Sequence, residues 1–405
     1  MGDYIGILGI IVILAIAFAF SSNRKAVNLR IVGAAFALQA VIAAIVLFWD
    51  RGRAFIDTLS TGVLAVIGFA NAGIDMVFGP LANSDIVGFS FAINVLPVII
   101  FFSALMSVLY HIGVMQFVVK IIGGGLRAII GTGTVESLNA AANVFVGQTE
   151  APLVVKPYLK GLTDAQLFAV MTSGLASVAG TVLAGYVLLG AELKYLLAAS
   201  FMAAPGGLLM AKLIMPDPPG TGAGSEKLEM EPSHHENVIL AAAVGAGDGL
   251  RLAVNIGAML VAFVALIALV NGLVGVVAGW FGQELTLQMM LGWLFSPLMF
   301  VIGVPWEEAS AAGALFVEKL ILNEFVAFTH LNDYLAGMSE RTRAIATFSL
   351  CGFANLTSIA ILLGGHGVLV PEKRTLIALF GPRAVVAGSL SNLMSATLAG
   401  LLLPL

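Results

Sequence analysis

The chain has 405 residues, of which 60% are hydrophobic and only 10% charged, with a formal net charge of −4. Globular domains carry about 25% charged residues, so water is excluded as the main solvent, and the lack of basic runs excludes a nucleic-acid binder. The one cysteine, Cys351, excludes an internal disulfide and argues against a cysteine metal cluster.

Apolar runs of about 18 or more residues predict membrane spans. In chain order they fall at 4–20, 30–49, 92–117, 164–190, 192–215, 253–280, 341–364 and 376–403. The first, Tyr4–Phe20, lacks the basic leader and small-residue cleavage site of a signal peptide and reads as a retained span. Residues 50–85, broken by glycine, proline and charge, predict an interfacial helix. The stretch 216–237, PDPPGTGAGSEKLEMEPSHHEN, is a long polar loop and predicts a mobile linker between two halves.

Two apolar segments, 131–160 and 302–332, are interrupted by acids, amides or proline and offer no clean span. Each fits a re-entrant hairpin, because irregular backbone at membrane depth survives only inside protein or beside a watery cavity. The two also resemble each other. ESLNAAANVFV (136–146) echoes EEASAAGALFV (307–317), with Glu150 and Glu324 further on. Downstream, SGLASVAGT (173–181) echoes CGFANLTSI (351–359), which sets Ser177 opposite Asn355. Two full spans and a hairpin that does not cross separate the polar-break spans, so those two run in opposite directions. Inverted repeats of this kind place a transporter's site at the bilayer midplane. The fold class is therefore an all-α polytopic membrane protein: eight transmembrane helices, two opposed re-entrant hairpins in an inverted repeat, and interfacial helices. Arg24, Lys25, Arg30, Lys120, Arg127, Lys156 and Lys160 fall on one predicted side, cytoplasmic by the positive-inside rule, although Arg341 and Arg343 fall on the other. Both termini then lie outside.

GQTEAPL (147–153) sets Gln148, Thr149 and Glu150 side by side in an apolar repeat, and Glu324 stands alone in the second. An acid at mid-membrane costs about 3 kcal/mol, which points to function. Pro152 suits a first helical turn, so the tip receives free backbone N–H groups. Alternatively, Gln148 and Glu150 only cap a half-helix. Asn355, Thr357 and Ser358 form the matching break, where interhelical hydrogen bonding alone is the competing account. Neither tip holds an arginine or lysine, and anions usually recruit arginine forks. A neutral, hydroxyl-rich solute with an amide-like edge fits better, since Gln148 both donates and accepts and carboxylates accept hydroxyl protons. Asn143, Val146, Ser177 and Val178 offer one amide oxygen, one hydroxyl and two carbonyls. Such a set suits a small monovalent cation, though spacing alone does not single one out.

GQTEAPL, LNEFVAF (322–328) and CGFANLTSIAILLGG (351–365) resemble the signature segments of concentrative nucleoside transporters, and AAAVGAGDGLRLAVNIGAMLVAF (241–263) is similar to that family's segment ahead of its sixth span. The likeness runs from about residue 90 to the C-terminus. It implies a homotrimer of eight-span protomers in the lipid bilayer and cation-coupled nucleoside uptake by an elevator-like movement. Uridine, cytidine and adenosine are the expected substrates. It implies a scaffold at 1–125, a first transport repeat at 126–215 and the polar loop at 216–237. An interfacial helix and scaffold span follow at 238–282, and a second transport repeat at 283–405. Gln148, Thr149 and Glu150 would face the base with Val182 beside them. Glu324, Asn355 and Ser358 would bind the ribose, with Phe353 nearby. Asn143 and Ser177 would supply side-chain oxygens to Na⁺, and Val146 and Val178 carbonyls. Proton coupling stays open, because Glu150 can itself carry a proton. The extra N-terminal spans of animal members have no counterpart, which points to a bacterial-type protein of the inner membrane, both termini periplasmic.

A rival from another class is the GAGD at 245–248, which matches the GxGD pattern of intramembrane aspartyl proteases. Those need a second aspartate, usually in a YD pair, and the sequence contains no YD. A channel would need a continuous pore lined by several subunits, which the inverted repeat disfavours. His111, His330 and His366 are scattered, and His234–His235 sit in the polar loop, so zinc is not suggested. No organic cofactor is expected and no enzymatic activity.

Overall fold

A computed structural model describes residues 5–218 and 235–403. Most of the polar loop, with His234, lies outside the described residues. Within them the chain is helical, with no strand, as an apolar solvent requires of backbone that must pair within its own segment.

The first helices are α1 (Ile5–Ala19), α2 (Leu29–Ala43, continued to Phe48), α3 (Asp50–Phe78), the short α4 (Ser84–Val87), α5 (Leu96–His111) and α6 (Val114–Ile130). The expected first hairpin holds α7 (Thr134–Ala142), a tip at 143–150, a 3₁₀ turn at Ala151–Val155 and α8 (Lys156–Leu159). Next come α9 (Asp164–Ala176), α10 (Gly180–Leu188), α11 (Leu193–Ile214) and α12 (Val238–Gly279). The second half has α13 (Leu287–Val301), α14 (Trp306–Ile321), α15 (Glu324–Thr329), α16 (Leu331–Tyr334), α17 (Glu340–Leu350), α18 (Thr357–Leu369) and α19 (Arg374–Leu402).

Helix starts follow their caps. Thr163 Oγ1 accepts from Gln166 N at 3.3 Å while Gln166 Oε1 accepts from Thr163 N at 3.0 Å, a reciprocal box that starts α9. Asn323 Oδ1 accepts from Val326 N at 3.0 Å and starts α15, and Ser339 Oγ accepts from Thr342 N at 3.3 Å to start α17.

Among the described residues seven helices are long and apolar enough to cross a membrane, or eight if α13 and α14, bent by 116°, count as one span. Several bounds differ from expectation. Asp50–Val87 is long and apolar enough to cross, where an interfacial helix was expected. The apolar run 92–117 ends as a helix at His111, because Gly113 takes a left-handed φ of 84° and starts α6. The region 238–279 is one unbroken helix, with no break between the expected interfacial segment and the span that follows it. Helix α13 was not expected as a separate element, and α1, at 15 residues, falls short of a full span by length.

Burial divides the helices. In the most apolar stretches of Asp164–Leu188 and of α11, 89% and 94% of residues are buried within the chain, against 22% in the Phe91–His111 stretch and none in that of α12. Helix α12 packs along α5, where Ser107 Oγ donates to Ala241 O at 2.7 Å. The buried group (α7, α9, α11, α14, α17 and α19) forms the core that carries both hairpin tips and both breaks.

Candidate functional site

Two helices are interrupted where the polar residues were expected. Helix α9 stops at Ala176, Ser177 is extended, and α10 begins at Gly180. Helix α17 stops at Leu350 and α18 begins at Thr357. Each interruption frees carbonyls and N–H groups that a continuous helix would use. The two breaks meet: Phe353 N donates to Ser177 O at 3.1 Å. The first tip docks beside them, with Gly180 N donating to Phe145 O at 2.9 Å.

A hydrogen-bond chain then crosses from one repeat to the other. Gln148 Nε2 donates to Ser358 Oγ at 3.2 Å, and Ser358 N donates to Asn355 Oδ1 at 2.8 Å. Thr357 Oγ1 donates to the same Asn355 oxygen at 2.7 Å. Asn355 Nδ2 donates to Glu324 Oε2 at 3.2 Å, and the Tyr186 hydroxyl donates to Glu324 Oε1 at 3.0 Å. Gln148, Glu324, Asn355 and Ser358 are all buried. Oε1 of Gln148 has no partner among the described residues, an uncommon condition for a buried amide oxygen. Thr149 is half-buried against Gly365, Val182 is buried on α10, and Phe353 is half-buried. Glu150 differs: it is exposed, and its carboxylate folds back over Gly147, outside the chain that runs from Gln148 to Tyr186.

The four expected cation ligands converge on the same junction. Asn143 Nδ2 donates to Asn139 O at 2.9 Å, which turns Oδ1 the other way, and this buried oxygen has no partner among the described residues. Ser177 Oγ makes only a long bond, 3.3 Å, to Gly174 O. Neither Val146 O nor Val178 O accepts a hydrogen bond among the described residues. A Cβ at Gly174 would lie 2.9 Å from Gln148 Cβ and 3.6 Å from Asn143 Oδ1. Glycine there lets the hairpin tip and the break come together.

The rival protease feature is elsewhere: Asp248 is 66% exposed and lies 3.6 Å from Arg251.

Comparison with known proteins decides the family. Residues 8–81 and 195–400 match the models "Na+ dependent nucleoside transporter N-terminus" and "C-terminus", and 92–193 match "Nucleoside recognition". The chain belongs to the Na⁺-dependent nucleoside transporter family. It is 51% identical to the uncharacterized transporter YutK of Bacillus subtilis over 98% of both chains. It is 48% identical to the nucleoside permease NupC of Helicobacter pylori, over 98% of this chain and 97% of that one. Among solved structures, CNTnw in an inward-facing substrate-bound state shares 52% identity and a TM-score of 0.93, covering 99% of this chain and 98% of that one. A CNTnw variant in an outward-facing state gives a TM-score of 0.95 at the same identity and coverage. As a member of this concentrative nucleoside transporter family the chain is a membrane transporter and not an enzyme.

For this family member, sequence reasoning missed two side chains at the site and one beneath it. Tyr186 reaches Glu324 from 138 residues away. His366 Nε2 lies 3.0 Å from Gln148 O and steadies the first tip from α18. Asn392 on α19 reaches both breaks. Each sits within an apolar helix, and no local pattern marks its partner. Only the rarity of polar groups at membrane depth hinted at them.

Proposed function

We propose that the chain is a secondary active symporter that imports nucleosides on a cation gradient, with Na⁺ as the coupling ion, by elevator-type alternating access. The observation that carries this reading is a pair of buried oxygens without a partner among the described residues, Asn143 Oδ1 and Gln148 Oε1, on side chains that both lie against Gly174. One suits a cation and the other a base N–H donor. Family membership supports sodium, as does the name of the mouse relative, sodium/nucleoside cotransporter 1, 36% identical over 97% of this chain.

In this reading Na⁺ takes Asn143 Oδ1, Ser177 Oγ and the carbonyls of Val146 and Val178. The first tip is thereby fixed against the first break, which orders Gln148, Thr149 and Glu150 for the base beside Val182. Glu324, Asn355 and Ser358 take the ribose hydroxyls, with Phe353 packed nearby. A nucleoside displaces internal hydrogen bonds that already run from Gln148 to Glu324, so little has to be reorganised. Residues 126–215 and 283–405 act as the moving transport repeats, and 1–125 with 238–282 as the scaffold. The scaffold's lipid-facing helices assemble as a homotrimer in a bacterial inner membrane, both termini periplasmic. Uridine, cytidine and adenosine are the substrates.

The test is uptake of radiolabelled uridine and adenosine into proteoliposomes, with and without an inward sodium gradient at fixed pH. Sodium-driven accumulation that disappears in Asn143→Ala is the expected result. Accumulation driven by a pH gradient alone would keep the nucleoside site and replace sodium with the proton. No uptake of either nucleoside by folded protein would overturn the reading.

A further inference from the structure

Beneath the proposed site lies a buried cluster to which the binding reading gives no role. Asn392 of α19 is 2% exposed, and its Nδ2 donates to Ala176 O and to Cys351 O, both at 2.7 Å. Ala176 O is the last carbonyl of α9, and Cys351 opens the second break. One amide therefore serves an orphan carbonyl from each broken helix. Asn392 Oδ1 accepts from Lys319 Nζ at 2.8 Å, and Lys319, wholly buried on α14, also donates to Ser349 O at 3.4 Å. The packing around the amide is close, since a Cβ at Gly352 would fall 2.6 Å from Asn392 Nδ2.

An amide offers two donor hydrogens and one acceptor oxygen, and here both kinds are used on three different elements. Interhelical bonds in membranes usually join two helices. This one spans both breaks and the second hairpin. The first break carries Ser177 and Val178, and the second carries Asn355 and Ser358. Lys319 stands five residues before Glu324 on the hairpin that bears it. A contiguous network of buried hydrogen bonds is one physical carrier of coupling between sites.

We infer that Asn392 and Lys319 are positioning residues that couple cation binding to nucleoside binding. A cation that orders Ser177 and Val178 fixes Ala176 O. Asn392 passes that order to Cys351 O and, through Lys319, to the hairpin of Glu324. Without the Asn392 donors each break relaxes on its own, and the cation no longer improves nucleoside affinity. This inference rests on the sodium reading above.

The test is calorimetric titration of uridine and adenosine into purified full-length protein, in sodium chloride and in choline chloride of equal ionic strength. Asn392→Asp keeps an acceptor for Lys319 and removes both donors, while Lys319→Met removes the amine at similar length. The wild type should show an affinity ratio between the two salts of roughly 5–150-fold, the usual range of allosteric coupling. Both variants should bring that ratio to within about twofold of one and shift the affinity in choline by less than about threefold. Wild-type ratios in both variants would overturn the coupling role and leave the sodium reading intact. Equal losses in both salts would also overturn it, showing that the cluster serves only the fold. If Asn392→Asp does not fold, Lys319→Met decides. A wild-type ratio of one would remove the sodium reading and this inference together.

Discussion

Tyr186 donates its phenolic hydroxyl to Glu324 Oε1 at 3.0 Å, joining the first broken helix to the acid of the second hairpin. The tyrosine ring is wedged against Phe328 and Phe325, with centroids 4.6 and 4.7 Å away. Ring packing and hydroxyl are therefore separable. Tyr186→Phe keeps the ring contacts and removes one hydrogen bond to a carboxyl group, for about 1.5–3 kcal/mol. The expected outcome is nucleoside affinity about tenfold or more weaker by calorimetry, with a modestly lower melting temperature because the bond is already made without nucleoside. Unchanged affinity would mean that Asn355 alone orients Glu324.

In the proposed reading Glu324 accepts the sugar's hydroxyl protons; each of its carboxyl oxygens takes one internal donor and has lone-pair capacity left. Glu324→Gln should weaken ribonucleosides by roughly ten- to a hundredfold. It should weaken 2′,3′-dideoxynucleosides, which lack those hydroxyls, far less. Competition against radiolabelled uridine in proteoliposomes separates the two. Equal losses for both classes would remove Glu324 from the sugar.

Much of this arrangement is legible in the amino-acid sequence. An acid and an amide inside apolar runs mark both tips, and the echo of SGLASVAGT in CGFANLTSI marks both breaks, because polar groups at membrane depth need a reason to be there. Hydropathy is less informative at 50–78 and 238–279. Asp50, Arg51, Arg53 and Asp57 make α3 look interfacial, although its later turns are apolar. Asp248 and Arg251 hide the early turns of α12, yet both point outward and leave the helix unbroken. Asn392 and Lys319 stay silent for another reason: their partners lie 216 and 73 residues away, and no spacing within a helix predicts a contact of that range.

Gly174 sets how closely the first tip approaches the first break. A methyl group there would meet Gln148 Cβ at 2.9 Å and Gln148 Cα at 3.2 Å, so the tip has to retreat by a few tenths of an ångström. Gly174→Ala should therefore weaken nucleoside binding and raise the sodium concentration needed for half-maximal uptake, together. Helix α9 itself should not suffer, because alanine is the better helix former by about 0.8–1 kcal/mol. Sodium titrations of uridine uptake and of the melting temperature check both halves. A change in nucleoside affinity with an unmoved sodium dependence would separate the two sites at this residue.

Lys212 of α11 supplies a stability test that leaves the site alone. Its amine meets the carboxylate of Glu136 and lies 2.7 Å from both oxygens of Asp217. The Lys212 and Glu136 side chains are only 3% and 1% exposed. Glu136 also accepts from Gly133 N at 2.8 Å, which caps α7 and so anchors the first hairpin. Removing one member of a buried pair leaves an uncompensated charge and costs about 3–5 kcal/mol, whereas removing both together costs far less. Lys212→Met should lower the melting temperature sharply, and adding Glu136→Gln should recover most of the loss, since the glutamine can still accept from Gly133 N. Thermal unfolding of the single and double variants in one detergent checks this. Additive losses would mean that Lys212 stabilises through Asp217 instead, and that the anchor of the first hairpin is Gly133 and Glu136 alone.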